Sequence, residues 1–258
     1  MPYRYATNRT DDSTFAGGHV LHSAPGRTGF PARLATELFQ RAAARLAHRG
    51  VRPPFVVYDP CCGTGQLLTT VGLLHRGPIR ELLGSDIDAA AVALARRNLA
   101  LLSPAGLADR IDVLSELHER FGRPSHAAAL DDANRLREQA TATDAVDADA
   151  FVADITRPGS LAGRVGEGRV DMVITDVPYG HWSAWEGGLA PGDERQNEPP
   201  IDRLLETIRP VLSPGALVTI VSGKDQRARH PAYHRVERWQ LGRRRIETLA
   251  LATGDRER

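Results

Sequence analysis

Acidic residues follow four short apolar segments of this 258-residue chain. The segments are predicted β-strands, and an aspartate stands at the end of each: Asp59, Asp86, Asp154 and Asp176. In an open α/β sheet, ligands bind beyond the carboxyl ends of the parallel strands, where the strand order reverses. We therefore expect these four carboxylates to lie at one ligand-binding edge.

The first aspartate opens a turn of small residues, Asp59-Pro60-Cys61-Cys62-Gly63-Thr64-Gly65. Glycine lets the backbone approach a ligand closely, and the helix that follows has free N–H groups at its start. A Gly-rich turn also joins strands to helices where no ligand binds. The interpretation of this turn as a binding site therefore depends on the other strand ends.

The second and third aspartates suit a nucleoside. Asp86 follows the Gly-rich turn by about 20 residues, where a carboxylate accepts hydrogen bonds from both ribose hydroxyls. Asp154 suits the amino group of an adenine, although an acid at a strand end equally often caps a turn. Asp88 is interpreted as the N-cap of the next helix, accepting from the amides of Ala90 or Ala91.

The fourth strand ends in Asp176-Val177-Pro178-Tyr179, which suits chemistry on the amino group of a planar base. An exocyclic amine conjugated to its ring is a weak nucleophile. A side-chain oxygen of Asp176 and a nearby backbone carbonyl can accept its two protons, while Tyr179 stacks on the ring and orients it for attack. Alone, the tetrapeptide is equally explained by a strand that ends in an Asp-x-Pro turn. The other three strand ends favour catalysis.

The elements that position these residues alternate between strand and helix, as in an α/β domain. Helices are predicted at 32–48, 67–75 and 89–102, and strands at 55–58, 82–86, 151–154, 170–176 and 216–221. We expect a Rossmann-like, mostly parallel sheet. Two β-leaning pieces flank Gly242 within residues 236–252 and predict an antiparallel C-terminal hairpin.

Two further regions accompany this sheet. Residues 1–50 are predicted to form an N-terminal extension and helix. Residues 103–149 interrupt the alternation and are predicted to be a helical insertion, with helices at 114–121 and 127–140 and an acidic segment at 141–149. In total, 1–258 is expected to be a single domain.

Composition excludes several classes of protein. The apolar fraction of 41% and charged fraction of 25% are typical of a globular enzyme. No apolar run is long enough for a membrane span or signal peptide, so we expect a cytoplasmic protein. The net charge of +1 argues against a histone-like binder, yet a local basic patch still allows RNA binding. Cys61 and Cys62 are adjacent and unsuited to a structural zinc site, so reduced thiols and no metal are expected. A monomer is also expected.

Together these motifs resemble the class I S-adenosylmethionine (SAM)-dependent methyltransferases. Residues 59–65 are similar to motif I of that family, and Ser85-Asp86-Ile87-Asp88 is similar to its ribose-binding motif. The tetrapeptide at 176–179 resembles the Asp/Asn-Pro-Pro-Tyr/Phe signature of enzymes that methylate nitrogen, with Val177 in place of the first proline. The resemblance implies a catalytic group of Asp176, Pro178 and Tyr179, and a SAM-binding group of Asp59, Cys61, Gly63, Gly65, Asp86, Ile87 and Asp154.

More narrowly, the chain resembles the avilamycin-resistance rRNA guanine methyltransferases, the AviRa family, between about residues 20 and 190. The similar segments are 20–26, 59–63, 98–107 and 175–180. The resemblance implies methylation of a guanine nitrogen in large-subunit (23S) ribosomal RNA and resistance to orthosomycin antibiotics such as avilamycin. Both N1 and N2 remain open as the methylated atom. For N1 a proton must leave, which makes Asp176 a candidate base.

Basic and aromatic residues are consistent with an RNA substrate. Arginines gather near the C-terminus, where Arg243, Arg244 and Arg245 are candidates for phosphate contacts. Trp182 and Trp185 are candidates to stack on an extruded base. Solvated surface arginines and core tryptophans explain the same residues equally well.

Three other kinds of protein share parts of this sequence pattern. A SAM-dependent N-methyltransferase that acts on DNA adenine or on a protein glutamine uses related tetrapeptides. A ribosome-binding protein that retains SAM without catalysis belongs to another class. A dinucleotide-dependent dehydrogenase is disfavoured, because Leu68 stands where the third glycine of the dinucleotide fingerprint belongs.

Overall fold

The computed structural model describes residues 3–8, 12–27, 29–140, 146–178, 185 and 197–252. The helices are α1 (Ala32–His48), α2 (Gln66–Leu74), α3 (Ala89–Ala100), α4 (Pro104–Phe121), α5 (Pro124–Gln139) and α6 (Pro200–Ile208). The strands are β1 (Phe55–Asp59), β2 (Ile79–Asp86), β3 (Asp147–Val152), β4 (Val170–Asp176), β5 (Leu212–Gly223), β6 (Tyr233–Leu241) and β7 (Arg244–Leu251). Short 3-10 turns lie at Ser13–Phe15 and Arg209–Val211.

The seven strands form one sheet in the order β3-β2-β1-β4-β5-β7-β6. Neighbouring strands from β3 to β5 are parallel, whereas β7 runs antiparallel to both β5 and β6. The strand order reverses beside β1, so a crevice forms there at the carboxyl ends of the strands. The predicted mostly parallel sheet with a C-terminal antiparallel hairpin is confirmed.

Helices cover both faces of the sheet, which explains why the inner strands are almost uniformly apolar. Val57 and Met172 face one core, together with residues of α1, α2 and α3. Val56 and Val173 face the other core, together with residues of α6. A third cluster packs α4 and α5 against the N-terminal segment.

Helix α1 has the bounds that its apolar spacing predicts. Its carboxylate Glu37 is fully buried and accepts hydrogen bonds from the backbone N–H groups of Arg4, Tyr5 and Ala6 at 2.6–2.8 Å. Arg41 pairs with Glu37 at 2.5 Å and with Glu237 of β6 at 2.8 Å. These contacts fasten the start of the chain to α1 and to the edge of the sheet.

Three predicted boundaries in and beside the insertion are wrong, one of them the start of α5, which lies at Pro124 rather than at residue 127. Helix α4 begins at Pro104, well before the predicted start at residue 114, because Ser103 is its N-cap and accepts from the N–H of Gly106 at 3.0 Å. From the sequence, Pro104 and Gly106 are expected to end the helix predicted at 89–102. In the structure they also form the first turn of α4. Strand β3 begins at Asp147, earlier than predicted, because an edge strand tolerates exposed acidic side chains.

Within the ranges that the structure describes, no helix is both long and apolar enough to cross a membrane.

Candidate active site

The structure brings the four strand-end aspartates to one cavity of about 510 Å³ at the carboxyl edge of the sheet. Asp59, Asp86 and Asp176 are the last residues of β1, β2 and β4. Asp154 lies two positions beyond the end of β3 rather than within the strand, so its predicted place as a strand end is wrong. All four nevertheless line the cavity, together with Cys61, Gly63, Ile87, Pro178, Trp185 and Arg244.

The turn after β1 is fastened to the neighbouring strand β2. The backbone N–H of Cys62 donates to the carbonyl of Ser85 at 2.8 Å, and the N–H of Gly63 donates to Oδ2 of Asp86 at 2.9 Å. The N–H of Gly65 closes the turn on the carbonyl of Cys62 at 2.8 Å. These bonds hold the turn against the strand that carries the second aspartate.

The two glycines of this turn occupy different places. Gly63 (φ +52°) lines the cavity, and a Cβ on it would meet no atom within 4 Å. Gly65 (φ +73°) does not line the cavity, and a Cβ on it would lie 3.0 Å from the Cα of Ala95. The structure therefore places Gly63 against the space for a ligand and Gly65 where α2 packs on α3.

The carboxylate of Asp86 is held by backbone donors on both oxygens. Its Oδ1 accepts from the N–H of Asp88 at 3.0 Å, while its Oδ2 accepts from Gly63. Asp88 in turn caps α3 by accepting from Ala90 at 2.8 Å and Ala91 at 3.3 Å, which confirms its predicted N-cap role. The plane of the Asp86 carboxylate is therefore fixed before any ligand arrives.

Asp59 is the most deeply buried acid of the cavity, with 2% of its surface exposed. Burial raises its pKa from an ordinary value of 3.8 to about 7, and the charges of Asp176 and Asp86 add to that rise. Its Oδ1 accepts from the N–H of Cys61 at 3.1 Å. Desolvation also raises the pKa of Cys61 well above the ordinary value, so this free thiol stays neutral.

Asp154 caps a turn in the wall of the cavity. Its Oδ1 accepts from the backbone N–H of Thr156 at 3.0 Å and from the hydroxyl of Thr156 at 2.6 Å. Ala153 and Ile155 line the cavity on either side of it. The turn-capping role is thus present in the structure, and the nucleoside contact stays a prediction.

Residues 176–178, which the sequence predicts to contact the target base and which we therefore call the target-base loop, comprise the last residue of β4 and the two residues that follow it. The N–H of Val177 donates to the carbonyl of Val221 in β5 at 3.0 Å, and its side chain is 1% exposed within the core that contains α6. The carbonyl of Pro178 accepts from Nε2 of Gln226 at 3.0 Å. Tyr179 and Trp182 lie outside the described residues.

The aromatic and basic candidates are separated by the structure. Trp185 lines the cavity and packs against the same core, and its buried Nε1 makes no hydrogen bond to the residues that the structure describes. Arg244 also lines the cavity, and its guanidinium lies 5.9 Å from the centre of the Phe30 ring. Arg245 instead pairs with Glu247 at 2.9 Å, and Arg243 is exposed in the β6–β7 turn. Of the three arginines, only Arg244 reaches the cavity.

The N-terminal segment forms a wall of the cavity that sequence reasoning missed. Gly26, Arg27, Gly29 and Phe30 all line the cavity, and Arg27 forms an ion pair with Asp88. This segment lacks the apolar periodicity that would have marked it as structured. Its similarity to the AviRa pattern at residues 20–26 was the available signal, and no role was assigned to it.

Two buried amides hold this wall in place. Gln66, on the first turn of α2, accepts from the N–H of Phe30 at 3.1 Å and donates to the carbonyl of Phe15 at 2.6 Å. Asn98 of α3 accepts from the N–H of His22 at 2.7 Å and donates to the carbonyls of His22 at 3.1 Å and Thr64 at 2.8 Å. Asn98 is fully buried, so its amide needs hydrogen-bond partners within the protein, and these contacts supply them.

The chemistry of the cavity suits a positively charged organic ligand. Its volume lies within the range of about 300–1,000 Å³ that is typical of small-molecule sites. Carboxylates predominate in its wall, and Arg27 and Arg244 are its cationic members. Among the residues that the structure describes, no group of three or more His, Cys, Asp or Glu side chains could hold a metal ion.

Comparison with known proteins identifies the family. Residues 1–244 match the family described as rRNA methyltransferase AviRa. The chain is 43% identical over 243 residues to the 23S rRNA (guanine(2535)-N(1))-methyltransferase of Streptomyces viridochromogenes, a match that covers 94% of this chain and 93% of that protein.

Solved structures agree with this result. The rRNA methyltransferase AviRa from Streptomyces viridochromogenes is similar with a TM-score of 0.81 and 40% identity, covering 96% of each chain. TrmN from Thermus thermophilus is similar in fold alone, with a TM-score of 0.51 and 17% identity over 88% of this chain and 51% of that chain. The resemblance seen in the sequence is therefore confirmed, and the chain belongs to the AviRa family of rRNA methyltransferases.

Proposed function

We propose that this protein transfers the methyl group of SAM to N1 of a guanine in 23S ribosomal RNA. The observation that carries the proposal is the convergence of Asp59, Asp86, Asp154 and Asp176 on one cavity beside the target-base loop. The relative that is 43% identical is named as an N(1)-methyltransferase, which supports N1 rather than N2.

The residues of the cavity suit SAM, which combines an adenosine with a positively charged sulfonium and an ammonium group. Asp86, held in plane by Gly63 and Asp88, would accept from the ribose hydroxyls. The open space beside Gly63 would admit the ligand close to the backbone. Asp59, when ionised, would balance the positive charge of the ligand. Ile87 and Asp154 would contact the adenine. When bound, SAM supplies an electrophilic methyl group.

Methylation at N1 requires that a proton leave the base. The N1–H of guanine lies in the ring plane, and its nitrogen becomes a good nucleophile once this proton is removed. We assign acceptance of this proton to Asp176. The N–H bond breaks as the N–CH3 bond forms, and the S–CH3 bond of SAM would break to leave neutral S-adenosylhomocysteine. Tyr179 is proposed to stack on the ring, and Trp185 to limit water access from the cavity wall. An extruded or single-stranded guanine is required for this approach.

The RNA backbone is proposed to pass the rim that carries Arg244, with the exposed Arg243 next to it contacting phosphate. Because the proposed substrate is ribosomal, we expect the protein to act in the cytoplasm. We also propose that it is a monomer. Methylation of the drug-binding region of the ribosome would confer resistance to orthosomycins such as avilamycin.

The direct test supplies labelled SAM to the purified protein together with large ribosomal subunits, naked 23S rRNA, duplex DNA or protein. We expect label in ribosomal RNA and mass mapping to one guanine. A methyl group on N1 blocks Watson–Crick pairing, so reverse transcription should stop at that guanine, whereas a single methyl on N2 would allow read-through. Label confined to DNA or protein would contradict the proposal.

Asp176→Asn tests the catalytic assignment. Loss of a general base lowers kcat by about 10²–10⁴-fold, while the SAM Kd should stay within about twofold of the wild-type value because the cofactor contacts remain. Asp225→Asn, an exposed carboxylate in the β5–β6 loop, is the matched control and should keep full activity. Full activity of Asp176→Asn would reject the assignment.

A further inference from the structure

Gln226 joins the loop after β5 to the loop after β4. Its Nε2 donates to the carbonyl of Pro178 at 3.0 Å, and its Oε1 accepts from the N–H of Gly223 at 3.1 Å. Its own N–H donates to the carbonyl of Gly223 at 3.2 Å. The side chain therefore connects the turn at the end of β5 with Pro178, the last residue of the target-base loop.

This contact lies where the regular hydrogen bonding of the sheet ends. The last bond between these strands joins the N–H of Val177 to the carbonyl of Val221 at 3.0 Å. The next residue, Pro178, has no N–H to continue the ladder. The amide of Gln226 instead holds the carbonyl of Pro178, and so fixes the direction in which the chain leaves Asp176 and Val177.

We propose that Gln226 is a positioning residue for methyl transfer, which holds the target-base loop so that Asp176 and the adjacent backbone carbonyl face the guanine. The proposal rests on the proposed function of this site. Displacement of a reacting group by about 1 Å can lower a rate by about 10²-fold. Gln226 is half-buried and does not line the cavity, so it acts through Pro178 rather than on the cofactor.

Gln226→Glu is the informative variant because it is nearly isosteric. A carboxylate still accepts from Gly223 but has no proton for the carbonyl of Pro178, and it places oxygen against oxygen. We expect the single-turnover rate of methyl transfer to fall about 10- to 100-fold. The SAM Kd, the KM for rRNA and the Tm should stay close to wild-type values. Gln226→Ala removes both hydrogen bonds without adding repulsion. Its single-turnover rate should also fall, but by a smaller factor.

Four outcomes are decisive. A lower rate with unchanged SAM Kd and Tm supports the positioning role, and Asp225→Asn in the same loop should leave the rate unchanged. Wild-type single-turnover rates in both Gln226 variants would overturn the inference, as would a joint loss of Tm, SAM binding and rate, since that pattern indicates a role in folding alone. A wild-type protein that transfers no methyl group to rRNA would instead contradict the proposed function.

Discussion

The turn after β1 and the target-base loop after β4 leave the same edge of the sheet but are held in different ways. The turn after β1 is bonded to the adjacent strand through Cys62 and Gly63, and closes on itself through Gly65. The target-base loop has a backbone bond from Val177 to the adjacent strand, but its last residue, Pro178, is held by a side chain 48 positions away in the sequence. The proposed cofactor half is thus built from neighbouring segments, while the proposed substrate half depends on a distant contact.

The largest expected effect on the cofactor half comes from Asp86→Ala. This change removes the acceptor for Gly63 and Asp88 as well as the proposed ribose contact. Charged hydrogen bonds are worth about 1.5–3 kcal/mol, so the SAM Kd measured by calorimetry should rise about 10- to 100-fold. Asp149→Ala, an exposed acid on β3 with 63% of its side chain accessible, is the control and should bind normally. An unchanged SAM Kd in Asp86→Ala would show that Asp86 does not contribute to cofactor binding, and would contradict the distinction between a cofactor half and a substrate half.

A smaller effect is expected from pH, acting through Asp59. Its raised pKa of about 7 means that the folded protein holds this proton more tightly than the unfolded chain, so its contribution to the stability of the ligand-free protein declines as pH rises from about 4 to about 7. A cationic ligand prefers the ionised form. SAM affinity should therefore increase with pH up to about 7, by at most about tenfold per pH unit.

Asp59→Asn provides the matching control for this titration. The amide keeps the size of the side chain and carries no ionisable proton, so the pH dependence of the SAM Kd between about pH 5.5 and 7.5 should flatten. An equally steep dependence in Asp59→Asn would assign the titration to another group and remove Asp59 from the charge balance.

The smallest expected effect on SAM binding comes from Gly65→Ala, which tests packing rather than ligand contact. The left-handed backbone costs an alanine about 1–2 kcal/mol, and the approach to Ala95 at 3.0 Å adds to that cost. Tm should fall by about 2–4 °C per kcal/mol. Gly159→Ala, at φ +76° with open space around it, has only the cost of the left-handed backbone, so its Tm should fall by less. Equal losses would show that the α2–α3 approach is not tight.

Local patterns in the sequence predicted the sheet and the acids at its edge. Apolar runs ending in aspartate identified β1, β2 and β4, and the turn residue Gly242 identified the terminal hairpin. Such features depend on neighbouring residues and on the regular period of each element. They could therefore be read without knowledge of the fold.

Long-range polar contacts were not predictable in the same way. Gln66, Asn98 and Gln226 each bond to backbone groups of other segments, and nothing in their local sequence names the partner. Pro104 was ambiguous for a different reason, since proline both follows helices and begins them. The N-terminal wall of the cavity depends on Gln66 and Asn98, which is why it was not predicted from the sequence.

That wall has a consequence for the order in which the molecule is assembled. His22 and Phe30 precede all seven strands of the sheet in the chain, yet the amides that hold them lie on α2 and α3. This segment therefore has a fixed place only after later parts of the chain have folded. A ligand bound in the finished pocket would stabilise the docked segment.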